Sequence, residues 1–174
     1  MKVFRHLLIL AVLGVATAAS AAIETYVADP AHSSVNFGIR HFFTQVPGRF
    51  TKFEVTLQVD RDHLENNSVE AVIYIASVKT EAADRDAHLQ KPEFFDAAKF
   101  PTMTFKSKTW KKTGDDTFDV TGDLTIKGVT KEVVLATKLL GFGPGMQPGS
   151  MLSGWQATTK LNRDDFGVSA FPKV

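Results

Sequence analysis

The sequence predicts an all-β domain: an antiparallel up-and-down barrel of about eight strands, interrupted by one short helical insertion. Three observations lead there. Apolar and polar residues alternate with a period of two in short runs through most of the chain after residue 22, the pattern of strands with one buried face. The runs are joined by short turns, with a single longer connection, so successive strands pair as neighbours rather than crossing in a Greek key. No segment repeats another, which disfavours a propeller or a solenoid.

Residues 1–22 stand outside this pattern. Lys2 and Arg5 precede an apolar run from Leu7 to Val15, and Ala19-Ser20-Ala21 fits a small-x-small cleavage site, so the segment reads as a secretory signal peptide. The run is shorter than the ~20 residues a membrane span needs. The expected product is one exported domain, residues 23–174, placed in the periplasm. Cleavage removes two basic and no acidic residues from totals of 20 and 19, leaving the domain near neutral and without the basic surplus that nucleic-acid binding needs. The chain has no Cys, which excludes disulfides and thiolate metal sites.

From Ser34 to His41, Val35, Phe37 and Ile39 share one face. His41 has their parity and His32 does not, so the two imidazoles are not expected to ligate together. A turn is expected around Pro47-Gly48, then a strand from Arg49 to Asp60 with Phe53, Val55, Leu57 and Val59 inward. Ser68 to Val78 is apolar on both faces, which suits a strand covered on its outer side by the helical insertion. In the insertion, Thr80 is positioned to cap a helix that Lys91-Pro92 ends, and Asp96 to cap a second turn. Strands at Thr102–Lys111 and Thr117–Ile126 follow, then a tight Lys127-Gly128 hairpin and a strand from Lys131 to Leu140. Residues 141–149, rich in Gly and Pro, are expected to continue neither neighbour. A last strand, Ser153 to Leu161, points Trp155 and Ala157 inward.

Four stretches carry a resemblance: SVKTEAADRDAHLQKPEFFDAAKFPTMTF (Ser77 to Phe105), DPAHSSVNFGIRHF from Asp29, the hairpin GDLTIKGVTKEV, and LNRDDFGV ending at Val168. In order and together they resemble the YceI-like, lipocalin-like polyisoprenoid-binding proteins. The resemblance implies a barrel that holds a long isoprenoid chain or an isoprenoid quinone in an apolar bore, with no other cofactor and no catalysis. Each buried methylene would contribute about 0.8 kcal/mol, less the cost of ordering the tail. Candidate ligand contacts are Phe37, His41 and Trp155 on or at the end of inward rows, and Phe42, Phe43, Phe94 and Phe95 at the mouth. Arg85 and His88 are candidate donors to a quinone oxygen or phosphate head, although anchoring of the insertion by Arg85 and Asp86 is the stronger expectation. Arg163 and Asp165 are expected to pin a turn. Similar proteins continue past the Phe-Gly-Val with a further strand of roughly ten residues, so the expected barrel lacks its last strand and does not close. Membrane contact and a homodimer are further expectations for such a carrier.

Two other readings stay open. One is an envelope or stress-related interaction protein with a filled barrel. The other is a lipid-modifying enzyme, for which the chain shows no Gly-x-Ser-x-Gly elbow, no His-x-x-x-His pair and no phosphate loop.

Overall fold

Among the described residues, period-two alternation becomes ten strands in two antiparallel sheets. The computed structural model describes residues 22–168, so the signal peptide expected over residues 1–22 lies, but for its last residue, outside them. In chain order the strands are β1 (Glu24–Val27), β2 (Val35–His41), β3 (Thr44–Phe50), β4 (Phe53–Val59), β5 (Ser68–Tyr74), β6 (Val78–Lys79), β7 (Thr102–Lys112), β8 (Thr117–Ile126), β9 (Val129–Pro144) and β10 (Met151–Thr158), with the helix α1 (Ala83–Leu89) after β6. Seven strands form one sheet in the order β1, β4, β5, β7, β8, β9, β10, and β2, β3 and β6 form the other.

The large sheet curls into a nearly closed barrel. Among the described residues its edge strands, β1 and β10, are each hydrogen-bonded on one side only; the strand expected to be missing after Val168 falls outside those residues. Alternation is cleanest in β8, which has a partner on both sides: Phe118, Val120, Gly122, Leu124 and Ile126 are all buried and the residues between them are not. Lys127 and Gly128 take positive φ, 50° and 75°, the pair of left-handed residues a tight hairpin requires.

Four expectations are corrected. The turn expected at Pro47-Gly48 is at Phe42-Phe43, and Pro47 and Gly48 lie within β3, opposite Gly38 and Phe37. Gly48 suits a strand there because a Cβ on it would sit 2.2 Å from the Phe37 ring; the ring occupies the space a side chain would take. The single strand expected from Arg49 to Asp60 breaks at Thr51-Lys52, where the chain passes from the small sheet to the large one. Likewise Ser68 to Val78 divides into β5, a 3-10 turn (Ile75–Ser77) and β6, against which α1 lies. Residues 141–144, expected in a loop, extend β9 opposite Met151 to Gly154 of β10.

The insertion also differs in detail. Thr80 caps nothing: α1 starts after Ala82, without a side-chain cap. Instead Asp86 turns back, and its Oδ1 accepts from both the Thr80 amide and the Thr80 hydroxyl at 2.7 Å. Asp96 has a φ of 52° and forms turns, its carbonyl accepting from Lys99 and Phe100, in place of the second helical turn. Its consequence is a close-packed upper end, the end of the barrel that carries the Lys127-Gly128 turn. There Phe50, Ile75, Val78, Phe94, Ile126 and Phe166 are buried together, and the Lys127 ammonium donates to the carbonyls of Pro92 and Gly167, 2.8 Å each. Burying one such aromatic ring contributes about 1.5–3 kcal/mol.

Candidate ligand-binding site

The walls of the barrel supply an apolar interior through residue parity alone. Directly opposed residues in antiparallel strands share a face, so the pairs Leu57–Val69, Ala71–Phe105, Val120–Leu135 and Phe118–Thr137 all point inward. Some of this inward row is fully buried. Val69, Ile73, Val133 and Leu135 are only half-buried while packed against the core, as are Val35 and Phe37 of β2 in the small sheet.

At the lower end, the end of the turn at residues 113–117, an aromatic cluster closes the barrel. Trp110 meets Trp155 edge to face with centroids 5.5 Å apart, and Phe118, Phe142 and Tyr26 continue the chain of rings. The indole Nε1 atoms of Trp110 and Trp155 are buried with no hydrogen-bond partner among the described residues. A buried donor without an acceptor is costly, and here two stand within one cluster.

Beside the rings lies a polar network on the edge strand. Glu24 and Tyr26 stand opposite Val59 and Leu57 in register, so both carry the inward parity. Arg61 Nε donates to Glu24 Oε2 at 2.8 Å and Nη2 to the Tyr26 hydroxyl at 2.7 Å, while that hydroxyl donates to Glu24. The hydrogen bond from Tyr26, reinforced by Arg61, holds the Glu24 carboxyl below the usual range. Burial, together with Glu24, pushes the Tyr26 phenol up. The Arg61 guanidinium lies 4.5 Å from the centre of the Phe142 ring, and Tyr26 is 6.3 Å from the same ring. Side chains from β1 and from the segment after β4 thus reach β9 across the gap between β1 and β10, where the backbone makes no ladder among the described residues.

The structure does not gather the sequence-derived candidates into one mouth. Phe37, Phe94 and Phe95 belong to the upper end, where Phe50 contacts Phe37 at 5.4 Å and Phe95 at 6.1 Å. Arg85 there acts as an anchor: Nε donates to the Thr80 hydroxyl at 2.7 Å and Nη2 to the Thr80 carbonyl at 2.6 Å. The neighbouring Asp86 is held below the usual carboxylate range by the Thr80 hydrogen bonds, with help from Lys79 and Arg85. His88 pairs with Glu93 at 3.0 Å and packs edge-on to Phe94. His41, Phe42 and Phe43 form the exposed tip of the β2–β3 hairpin. Trp155 alone joins the lower cluster. His32 faces Asp29 at 2.7 Å, apart from His41, and no group of three metal-ligating side chains occurs among the described residues. Asp165 accepts from Asn162 at 3.0 Å, and the Val168 amide donates to the Arg163 carbonyl, so both residues pin a turn as expected.

Trp110, Phe142, Tyr26, Glu24 and Arg61 were not legible as site residues. A bulge between Ser107 and Thr109 shifts the parity of β7, which turns Trp110 to the same face as Phe105. Phe142 lies in the stretch that Gly and Pro marked as loop. Arg61 did carry a signal, since it continues the alternation Leu57, Val59.

Two clefts mark the lower half. One, about 250 Å³, is lined by Thr113, Phe118, Thr137 and Gln156, and a second, about 370 Å³, lies along Val134, Ala136 and Thr158 to Lys160. Small-molecule pockets usually span roughly 300–1,000 Å³, so the first is small for a long lipid, and the second, beside outward-facing Val134 and Ala136, is not the bore.

Residues 26–174 match the YceI-like domain. Protein YceI of Escherichia coli is 40% identical over 138 residues, covering 79% of this chain and 71% of that protein. The solved YceI protein of Campylobacter jejuni is similar with a TM-score of 0.68 at 37% identity, over 82% of this chain and 84% of that one. A polyisoprenoid-binding domain from Saccharophagus degradans, implicated in plant cell wall breakdown, shares the fold with a TM-score of 0.50 at 15% identity, over 68% of each chain.

Proposed function

The chain belongs to the YceI-like family, and from that premise we propose that it is an exported carrier of an isoprenoid-type lipid, with the tail along the inward row and the head at the lower aromatic end. The observation that carries this reading is the pair of buried, partnerless indole donors at Trp110 and Trp155 at the foot of a half-exposed apolar row. A ligand with an apolar tail and an oxygen-bearing head satisfies both features: the tail covers Val35, Val133 and Leu135, and the head oxygen accepts from the indoles. Polar contacts fix orientation, while transfer of the tail from water supplies the affinity.

The test is mass spectrometry of an organic extract of the purified mature protein, beside Leu135→Lys and Trp155→Phe. Leu135 stands opposite the buried Val120, so a lysine there places a charge on the inner row. The expected result is an isoprenoid lipid in the parent protein, its loss in Leu135→Lys, and reduced occupancy in Trp155→Phe, which keeps an aromatic ring, though a smaller one, and removes the donor. A parent protein free of lipid, or equal occupancy in a folded Leu135→Lys, overturns the reading.

The close-packed upper end favours a second reading, a filled barrel that acts through its surface on an envelope partner. That reading expects a partner bound equally well after delipidation.

A further inference from the structure

Beyond Val35, Phe37 and Phe50, which pack against the core, the β2–β3 hairpin is largely exposed, and its composition and placement are distinctive. Only Arg49 and Phe50 of β3 pair with β6, so the rest of the hairpin is a two-stranded arm bonded to itself. Along that arm residues 38–45 are all exposed. At its end Phe42 is 63% and Phe43 98% exposed, and Ile39 is open as well. Phe42 takes a left-handed φ of 51°, which lets a two-residue turn carry both rings at its apex. Arg40 Nε donates to the Phe42 carbonyl at 3.0 Å, and the His41 ring meets Phe42 edge to face at 4.6 Å; these contacts hold a guanidinium and an imidazole beside the apolar tip.

Charge is distributed to match. Between Asp29 and Glu54 the chain has no acidic residue, but it has Arg40, Arg49 and Lys52, within a domain that is otherwise near neutral. Arg49 lies 3.6 Å from Glu81 and Lys52 lies over the Tyr74 ring, whereas Arg40 forms no ion pair among the described residues. Aromatic rings at a protruding apex, flanked by cations, fit the boundary between lipid headgroups and acyl chains. The cations then meet a surface of opposite sign.

We propose that the arm docks the protein on an anionic bilayer, Phe42 and Phe43 entering the headgroup boundary and Arg40 lying against lipid phosphates. For its purpose, loading or unloading a lipid, the proposal rests on the carrier reading. The docking itself does not.

The experiment is co-sedimentation of the mature protein with vesicles of phosphatidylcholine alone and of phosphatidylcholine mixed with phosphatidylglycerol, at low and high salt. Parent protein, Phe42→Ser/Phe43→Ser and Arg40→Gln are compared, and thermal midpoints confirm that these exposed changes leave the fold intact. The expected result is binding to the anionic vesicles only, weakened by salt and by Arg40→Gln, and reduced about tenfold or more in the double variant. Equal binding to both vesicle types, no binding, binding untouched by the double variant, or a tip-mediated dimer in place of vesicle binding overturns the proposal. Lipid content is measured on the same preparations. A protein without extractable lipid that still binds vesicles through the tip ends the carrier reading and leaves the docking arm standing.

Discussion

The two ends of the barrel are built from the same residue types and hold different things together. At the upper end Arg85, Thr80 and Asp86 form a network within six residues of chain, over the buried ring of Phe94. At the lower end Arg61, Tyr26 and Glu24 are joined across 35 and 37 residues, beside the half-buried ring of Phe142. The local network shapes an insertion that was close together before folding. The distant one ties β1 to the segment that follows its sheet neighbour β4, and its contacts with the Phe142 ring reach β9 only once the barrel has curled. The lesson is that an arginine with a carboxylate and an aromatic ring specifies no role by itself; the separation of its partners along the chain does.

The largest expected effect separates the two rings. Phe94→Ala opens a cavity in close-packed surroundings and is expected to cost about 3–5 kcal/mol, whereas Phe142→Ala, at a partly exposed position, is expected to cost about 1–2 kcal/mol. Chemical denaturation of the two variants measures both, and equal losses would erase the distinction between the buried ring of the upper end and the half-buried ring of the lower.

A second, smaller effect concerns the gap. Arg61→Met removes both hydrogen bonds to β1 while keeping an apolar chain near Phe142. Amide exchange in Glu24 to Val27 is expected to accelerate, with Ala83 to Leu89 unchanged. Arg85→Met is expected to do the converse, and a change spread evenly over the barrel in either variant would show that the networks do not act locally.

The smallest effect is the pH response, which differs in sign and range. Asp86 and Glu24 are both depressed, so over the acid range the unfolded chain binds more protons than the folded one. Their contributions are present above the ordinary carboxylate values, about 4, and are lost as pH falls through the folded values. Tyr26 is raised, so above the ordinary tyrosine value, about 10, the folded state retains a proton that the unfolded state loses, and stability declines as pH rises. The lower network therefore weakens from both directions and the upper from the acid side alone. Thermal midpoints against pH are expected to lose part of their acid slope in Asp86→Asn and part of their alkaline slope in Tyr26→Phe; an unchanged alkaline slope in Tyr26→Phe would remove Tyr26 from the account.

The strands over Ser34 to His41 and Thr117 to Ile126, the Lys127-Gly128 hairpin and the inward faces of Leu57, Val120 and Trp155 were legible because alternation and turn chemistry are local properties. The break at Thr51-Lys52 was not, although the buried parity changes there between Phe50 and Phe53, because which sheet each half joins depends on distant partners. Nor was the extension of β9 through Gly141 to Pro144, because Gly and Pro mark where backbone is free to bend, and pairing with β10 decides whether it does.

Residue order by itself determined an all-β chain of short antiparallel strands with one helical insertion, since each decision needed only a residue and its near neighbours. The tertiary structure alone decided which aromatic rings meet. Two bulges, between Ser107 and Thr109 and between Gly154 and Trp155, each add a residue on one strand, and that exchanges inside for outside along everything beyond them. A bulge is a property of two strands in register. It brought Trp110 to Trp155, and the curl of the sheet brought Arg61 to Phe142, because both depend on partners that no local stretch of the chain contains.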